Sequence, residues 1–119
     1  RLPEVLGRIT EIGKRYDLKV ANVFHAGDGN LHPNILFDRN DAEELKRVEE
    51  ASKKIMALCV EVGGTITGEH GVGVDKRDYM PLVNGENEIA AMAAVKRVFD
   101  PQALFNPGKV LPDPKAGNL

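Results

Sequence analysis

The chain has one cysteine, no long apolar run and no cluster of lysine or arginine. A single cysteine, Cys59, cannot form an internal disulfide, so a reducing compartment is favoured. No apolar stretch approaches the roughly 18 residues of a membrane span, and we therefore expect no transmembrane segment. The net charge of -2 comes without a basic patch, which argues against a nucleic-acid partner.

Histidine is also scarce, and its placement is unusual. The chain has 3 histidines, and each of them lies close to glycine. His25 and His32 bound the stretch HAGDGNLH, and His70 lies in GGTITGEHGVG. The remaining composition, with 42% hydrophobic and 29% charged residues in 119, is typical of one globular domain. The glycine-flanked histidines are therefore the first candidates for a functional site.

Hydrophobic periodicity predicts three helices, at about residues 2–16, 41–63 and 86–99. Asp41 and Glu44 have the spacing of a capping box at the start of the second helix. Gly63 is typical of its end, and Asp100-Pro101 ends the third. The apolar stripe predicted for the second helix comprises Leu45, Val48, Ile55, Leu58, Cys59 and Val62.

Residues 18–24 and 31–37 have the character of β-strands and flank a glycine-rich turn, which predicts a hairpin. Residues 65–67 predict a short third strand, and residues 76–83 a helical turn. The order of elements indicates an α+β fold, an antiparallel sheet with helices on one face. We expect residues 113–119 to form a disordered tail.

If the hairpin closes through residues 27–30, Ala26 lies opposite Leu31 and His25 opposite His32. Directly opposed residues share one face of a sheet, with Cβ atoms about 4.5–5.5 Å apart. Two imidazoles at that separation can bind one metal ion. A structural role for both histidines, without any ligand, is the alternative that the spacing leaves open.

A divalent ion needs further ligands, and Glu69 is the candidate for a third. Two histidines and a glutamate leave a coordination position for water or substrate, as in catalytic metal sites. His70 follows directly and is available as a general base. Asp28 is a weaker candidate ligand, because an aspartate in such a turn more often stabilises the turn itself.

Three motifs give this chain a resemblance to a known family. HAGDGNLHPNI, GGTITGEHGVGVDKRDYM and FDPQALFNPGKVLP occur in this order, and the resemblance that they carry extends over nearly the whole chain. They closely resemble the C-terminal end of FAD-linked 2-hydroxy-acid oxidases. This family includes the glycolate oxidase large subunit, D-lactate dehydrogenases and D-2-hydroxyglutarate dehydrogenase. Residues 68–101, GEHGVGVDKRDYMPLVNGENEIAAMAAVKRVFDP, look most like the glycolate oxidase subunit.

The resemblance implies roles for five residues. His25, His32 and Glu69 would bind a divalent metal, commonly zinc, which holds the hydroxy acid. His70 would remove the hydroxyl proton while the Cα hydride goes to the flavin, and Asn106 would lie near the flavin. The activity implied is oxidation of a 2-hydroxy acid, of the glycolate or D-lactate type, to the 2-oxo acid.

The resemblance also implies that residues 1–112 are the last portion of a ferredoxin-like cap domain. The family's FAD-binding domain precedes this region, so we expect a fragment that is inactive alone and that self-associates through exposed sheet edges. The partners implied are that FAD-binding domain, a small 2-hydroxy acid and an iron–sulfur subunit. The location implied is cytoplasmic, peripheral to the inner membrane. A small non-enzymatic metal-binding or interaction module is the rival interpretation.

Overall fold

A computed structural model describes residues 1–112 of the chain as two compact units, Arg1–Gly64 and a second unit that begins at Thr65. The predicted disordered tail, residues 113–119, lies outside the described residues. The order of elements is helix, two strands, helix, 3-10 helix and helix. Helices together with an antiparallel sheet confirm the predicted α+β class.

The first unit begins with α1, Leu2–Arg15. A proline in its first turn suits a helix start, where its missing N–H has no partner to lose. The buried face of α1 presents Val5 and Ile9, which are 5% and 0% exposed. Gly13 permits a close approach to the first strand, because a Cβ there would lie 2.6 Å from Cγ2 of Val20.

The predicted hairpin is present, but its register differs from the prediction. Strands β1, Lys19–His25, and β2, Asn30–Leu36, pair antiparallel. His25 lies opposite Asn30, and His32 lies opposite Val23. The prediction that the two histidines are directly opposed is therefore wrong. The turn occupies residues 26–29, one residue earlier than predicted, and this shift moves every cross-strand pair.

The second helix, α2, spans Ala42–Glu61. The predicted cap is half confirmed: Asp41 accepts hydrogen bonds from the N–H groups of Glu43 and Glu44. The Glu44 carboxylate, however, accepts from the N–H of Asp38 at 2.7 Å. Leu45 was predicted in the buried stripe but is 38% exposed, because the stripe that contacts the core is formed by Val48, Ala51, Ile55 and Leu58.

Gly63 and Gly64 end α2 in a Schellman motif, as the sequence predicts for Gly63. Gly63 has a φ of +85°, a left-handed conformation that costs glycine little. Its N–H donates to the Val60 carbonyl, and the N–H of Gly64 donates to the Cys59 carbonyl at 2.8 Å. These bonds satisfy two carbonyls that would otherwise lack partners at the helix end.

The core of the first unit lies between the helices and one face of the hairpin. Val5 and Ile9 of α1 cluster with Ile55 and Leu58 of α2. Half-buried side chains pack against this cluster from both strands, among them Val20, Leu31 and Ile35. By strand alternation, the opposite face of the hairpin does not face these helices.

The second unit contains a 3-10 helix, Arg77–Leu82, and α3, Glu86–Phe99. Both were predicted from sequence, and α3 ends at Phe99 with Asp100 as its C-cap, as expected. The short strand predicted at residues 65–67 is wrong: this segment is irregular, although Ile66 is buried. Within residues 1–112, no helix has the length and apolar character needed to cross a membrane.

Candidate metal centre and catalytic loop

The imidazoles of His25 and His32 lie against each other on one face of the hairpin. Their ring centroids are 5.5 Å apart, and the rings meet edge to face at 87°. Because His25 follows Val23 by two residues and Val23 pairs with His32, both histidines project from the same side of the sheet. The prediction of a shared face is confirmed even though direct opposition is not.

This histidine face is the one that points away from α1 and α2. His25 is exposed and His32 is half-buried. Val23, the cross-strand partner of His32 on the same face, is 56% exposed. The two imidazoles are therefore held by a rigid ladder yet remain accessible to a small ligand.

The turn between the strands fixes how close the two histidines come. The N–H of Asp28 donates to the carbonyl of His25 at 3.1 Å, and Gly29 has a φ of +69°. Glycine adopts this conformation without the steric cost that a Cβ would add. Asp28 thus lies in the turn itself, which agrees with the structural role favoured from sequence.

In the second unit, Glu69 and His70 are consecutive exposed residues of a glycine-rich loop. The Thr67 hydroxyl donates to the carbonyl of Gly71 at 3.0 Å and so closes the loop around them. Gly71 has a φ of +78°. The conformation of this loop is therefore set by its flanking residues.

Asn106 lies in the irregular segment that follows α3. Its φ is +48°, a value that asparagine adopts more readily than most residues. Beyond it, the Gly108 carbonyl accepts a hydrogen bond from the Arg77 guanidinium at 2.6 Å. The N–H of Val110 donates to the Gly73 carbonyl at 2.7 Å. The Asn106 segment is thereby joined to the loop that follows His70.

Asp100 fixes the other end of the same segment. Its carboxylate is 7% exposed and accepts hydrogen bonds from the N–H groups of Leu104 and Phe105. It also forms an ion pair with Lys96, one helical turn earlier. The Lys96 ammonium, followed by these two backbone donors, holds the pKa of Asp100 below its usual value despite burial.

Sequence reasoning did not identify Thr67 or Asp100, whose hydrogen bonds fix the segments that carry His70 and Asn106. The sequence signal for Thr67 was weak: it is a hydroxyl residue in a loop, four positions before a glycine, and such residues often hydrogen-bond to nearby backbone groups. The sequence signal for Asp100 was clearer, because this aspartate lies at the end of a predicted helix, directly before a proline and four residues after a lysine. Such an aspartate can accept from the backbone of the turn that follows it.

Comparison with known proteins supplies the family. The model for "FAD linked oxidases, C-terminal domain" matches residues 1–110. This chain belongs to that family. The three motifs that carry the resemblance all lie largely within the matched residues, so the family expected from sequence is confirmed.

Several curated relatives match most of this chain. It is 55% identical to the glycolate oxidase subunit GlcD of Escherichia coli over 111 residues, which cover 93% of this chain and 22% of that protein. The corresponding subunit of Bacillus subtilis is 45% identical, with 86% of this chain and 22% of that protein covered. The D-2-hydroxyglutarate dehydrogenase of Stutzerimonas stutzeri is 40% identical, with 92% and 25% covered. The chain thus spans about a quarter or less of each relative's length.

Proposed function

We propose that this chain is the substrate- and metal-handling C-terminal domain of a flavin-dependent oxidoreductase. The reaction is the oxidation of a 2-hydroxy acid to the corresponding 2-oxo acid. The observation that carries the proposal is the His25–His32 pair, with ring centroids 5.5 Å apart, in a chain of the FAD-linked oxidase family. Residues 1–112 form this domain, and a preceding domain binds most of the FAD.

The metal ligands in this proposal are His25, His32 and Glu69. The donor set fits a divalent ion such as zinc, which accepts imidazole nitrogen and carboxylate oxygen. The hairpin supports the fit, because it holds both imidazoles on one accessible face. Three protein ligands leave a coordination position for the hydroxy acid.

His70 accepts the hydroxyl proton of the substrate on an imidazole nitrogen, and Asn106 presents its side-chain amide to the flavin. When bound, the divalent ion supplies Lewis acidity at the substrate oxygens, and the flavin supplies the acceptor for the Cα hydride. The loop closed by Thr67 holds His70 in place. An imidazole is suited to this step because histidine is the side chain that most often transfers protons in enzymes.

The substrate class follows from the relatives. Three are named glycolate oxidase subunits, and others are named D-lactate and D-2-hydroxyglutarate dehydrogenases. We propose glycolate or D-lactate as the type of substrate for the protein that contains this chain. We further propose that the protein works with an iron–sulfur subunit. It would lie at the cytoplasmic face of the inner membrane as a peripheral protein.

Anaerobic reduction of the flavoprotein that contains this chain tests the function. Glycolate or D-lactate is expected to bleach the flavin absorption, and the 119-residue chain alone is expected to carry no flavin and no activity. A flavoprotein that none of the 2-hydroxy acids reduces would contradict the proposal. A yellow isolated chain would contradict the assignment of FAD to a preceding domain.

A non-enzymatic metal-binding module is the second candidate. It is favoured by the location of both histidines within the first unit, where their rings meet edge to face. Metal binding by the protein without flavin reduction by any 2-hydroxy acid would support this alternative.

A further inference from the structure

Asp100 connects the end of α3 to the segment that carries Asn106. One carboxylate oxygen accepts from the N–H of Leu104 at 2.9 Å, and the other accepts from the N–H of Phe105 at 3.0 Å. The carbonyl of Asp100 also accepts from the N–H of Ala103 at 3.1 Å. Three consecutive backbone donors, the last of them adjacent to Asn106, thus depend on one residue.

Lys96 holds the same structure from the helix. Its ammonium pairs with the Asp100 carboxylate and also donates to the carbonyl of Phe105 at 2.8 Å. Both the N–H and the carbonyl of Phe105 are therefore bound, so the peptide that leads into Asn106 has a fixed orientation. Hydrogen bonds to charged groups are stronger than those between neutral groups, so the Lys96 ammonium and the Asp100 carboxylate are suited to holding this peptide in one orientation.

Asn106 needs such support because its backbone is not in a common conformation. It has a φ of +48°, and Ala103 within the same turn has a φ of +53°. Left-handed conformations in residues other than glycine persist where surrounding contacts impose them. The contacts before Asn106 come from Asp100 and Lys96, and the contact after it is the Arg77–Gly108 hydrogen bond.

We propose that Asp100, held by Lys96, is a positioning residue that sets the orientation of the Asn106 amide toward the flavin. The inference rests on the proposed function, in which Asn106 contacts the flavin. It adds a buried carboxylate that acts on the cofactor only through the backbone of residues 103–106. The prediction specific to such a residue is that its effect disappears when Asn106 itself is removed.

A double-mutant cycle on FAD binding tests this dependence in the flavoprotein that contains the chain. Asn106→Ala and Asp100→Asn are each expected to weaken FAD binding about 10-fold, the loss of roughly one such hydrogen bond. The double variant is expected to be within about twofold of Asn106→Ala alone, because Asp100 acts through Asn106. Each variant should also shift the flavin absorption maxima in the same direction.

Two results would overturn the inference. In one, the single effects multiply in the double variant, which would make Asp100 independent of Asn106. In the other, Asp100→Asn leaves FAD binding and the flavin spectrum unchanged while Asn106→Ala alters both. If Asn106→Ala has no effect, the flavin contact in the proposed function is wrong, and the cycle separates that failure from the first two.

Substitution at Lys96 keeps the test informative if Asp100→Asn prevents folding. Lys96→Arg retains a cation able to reach both Asp100 and the Phe105 carbonyl, and it is expected to preserve FAD binding. Lys96→Met removes the cation and is expected to reproduce the 10-fold loss of Asn106→Ala, within the same order of magnitude. Equal FAD binding by both Lys96 variants would overturn the role of Lys96.

Glu61→Gln, which removes an ion pair in the first unit, is the control and should leave FAD binding unchanged.

Discussion

His25 and His32 meet edge to face although neither is the other's cross-strand partner. Their ring centroids are 5.5 Å apart, and they pair in the ladder with Asn30 and Val23, respectively. A diagonal arrangement brings two imidazoles onto one face while leaving an exposed side open to a ligand. This relationship is the structural basis for the proposed metal site.

Loss of either imidazole should therefore remove the metal. His32→Ala is expected to lower the divalent-metal content of the purified flavoprotein by at least about tenfold, because two protein ligands cannot replace three. Elemental analysis of the purified protein measures this directly. Val23→Thr is the matched control, since it changes the exposed residue opposite His32 and keeps both imidazoles. Equal metal content in His32→Ala and wild type would contradict the assignment.

Two glycine-to-alanine substitutions should change the stability of the chain in opposite directions. Gly63 has a φ of +85°, so Gly63→Ala is expected to destabilise the fold by about 1–2 kcal/mol. Gly7 lies within α1, with nothing within 4 Å of a Cβ placed there. Gly7→Ala is expected to stabilise by about 0.5–1 kcal/mol, because alanine favours helix. Urea denaturation measures both. Stabilisation by Gly63→Ala would contradict the helix-end geometry, and destabilisation by Gly7→Ala would contradict the open space found at Gly7.

The helices could be predicted from sequence because their signals are local. The stripe of α2, its cap at Asp41 and its end at Gly63 each depend on neighbouring residues. Leu45 was wrongly predicted to be buried because the periodicity identifies the apolar face of a helix but does not show how far along that face the core extends. The partner of Glu44 was missed for a similar reason: the chain before α2 brings Asp38 N–H within reach, which spacing does not reveal.

The register of the hairpin could not be predicted because two turn positions fit the same glycine-rich run. A turn at residues 26–29 or 27–30 uses almost the same residues, yet it changes which residue lies opposite His32. The prediction of a strand at residues 65–67 was wrong because a strand needs a neighbouring strand to form hydrogen bonds with. The β-branched residues of this segment do not indicate whether such a neighbour exists. The Asp100 contacts depend on the turn after α3, whose conformation includes the left-handed Ala103.

Stability should depend on pH through the Arg8–Glu61 pair. Two guanidinium nitrogens of Arg8 donate to the Glu61 carboxylate at 2.9 Å each, and this bonding, followed by the charge of Arg8, lowers the pKa of Glu61. A lowered pKa in the folded state means that the contribution is present above the ordinary glutamate pKa of about 4.3 and is lost as the pH falls through the lowered value. Because both side chains are exposed, the effect should be small.

Urea unfolding at about pH 7 and about pH 3 measures this contribution. Wild type should exceed Glu61→Gln in unfolding free energy at the higher pH, and the difference should shrink at the lower one. Glu49→Gln, an exposed change on the same helix with the same change in charge, is the control for net charge. A difference between wild type and Glu61→Gln that does not change with pH would show that the ion pair is not responsible.

The measurement that tests the account most directly is stopped-flow reduction of the flavin by a 2-hydroxy acid in His70→Asn. If His70 accepts the hydroxyl proton, the reduction rate should fall about 10²–10⁴-fold, the usual contribution of a general base. Metal and flavin content should remain at wild-type levels, because neither is assigned to this imidazole. A near-normal reduction rate would remove His70 from the reaction. Loss of metal together with the rate would make His70 a ligand and would contradict the role given to Glu69.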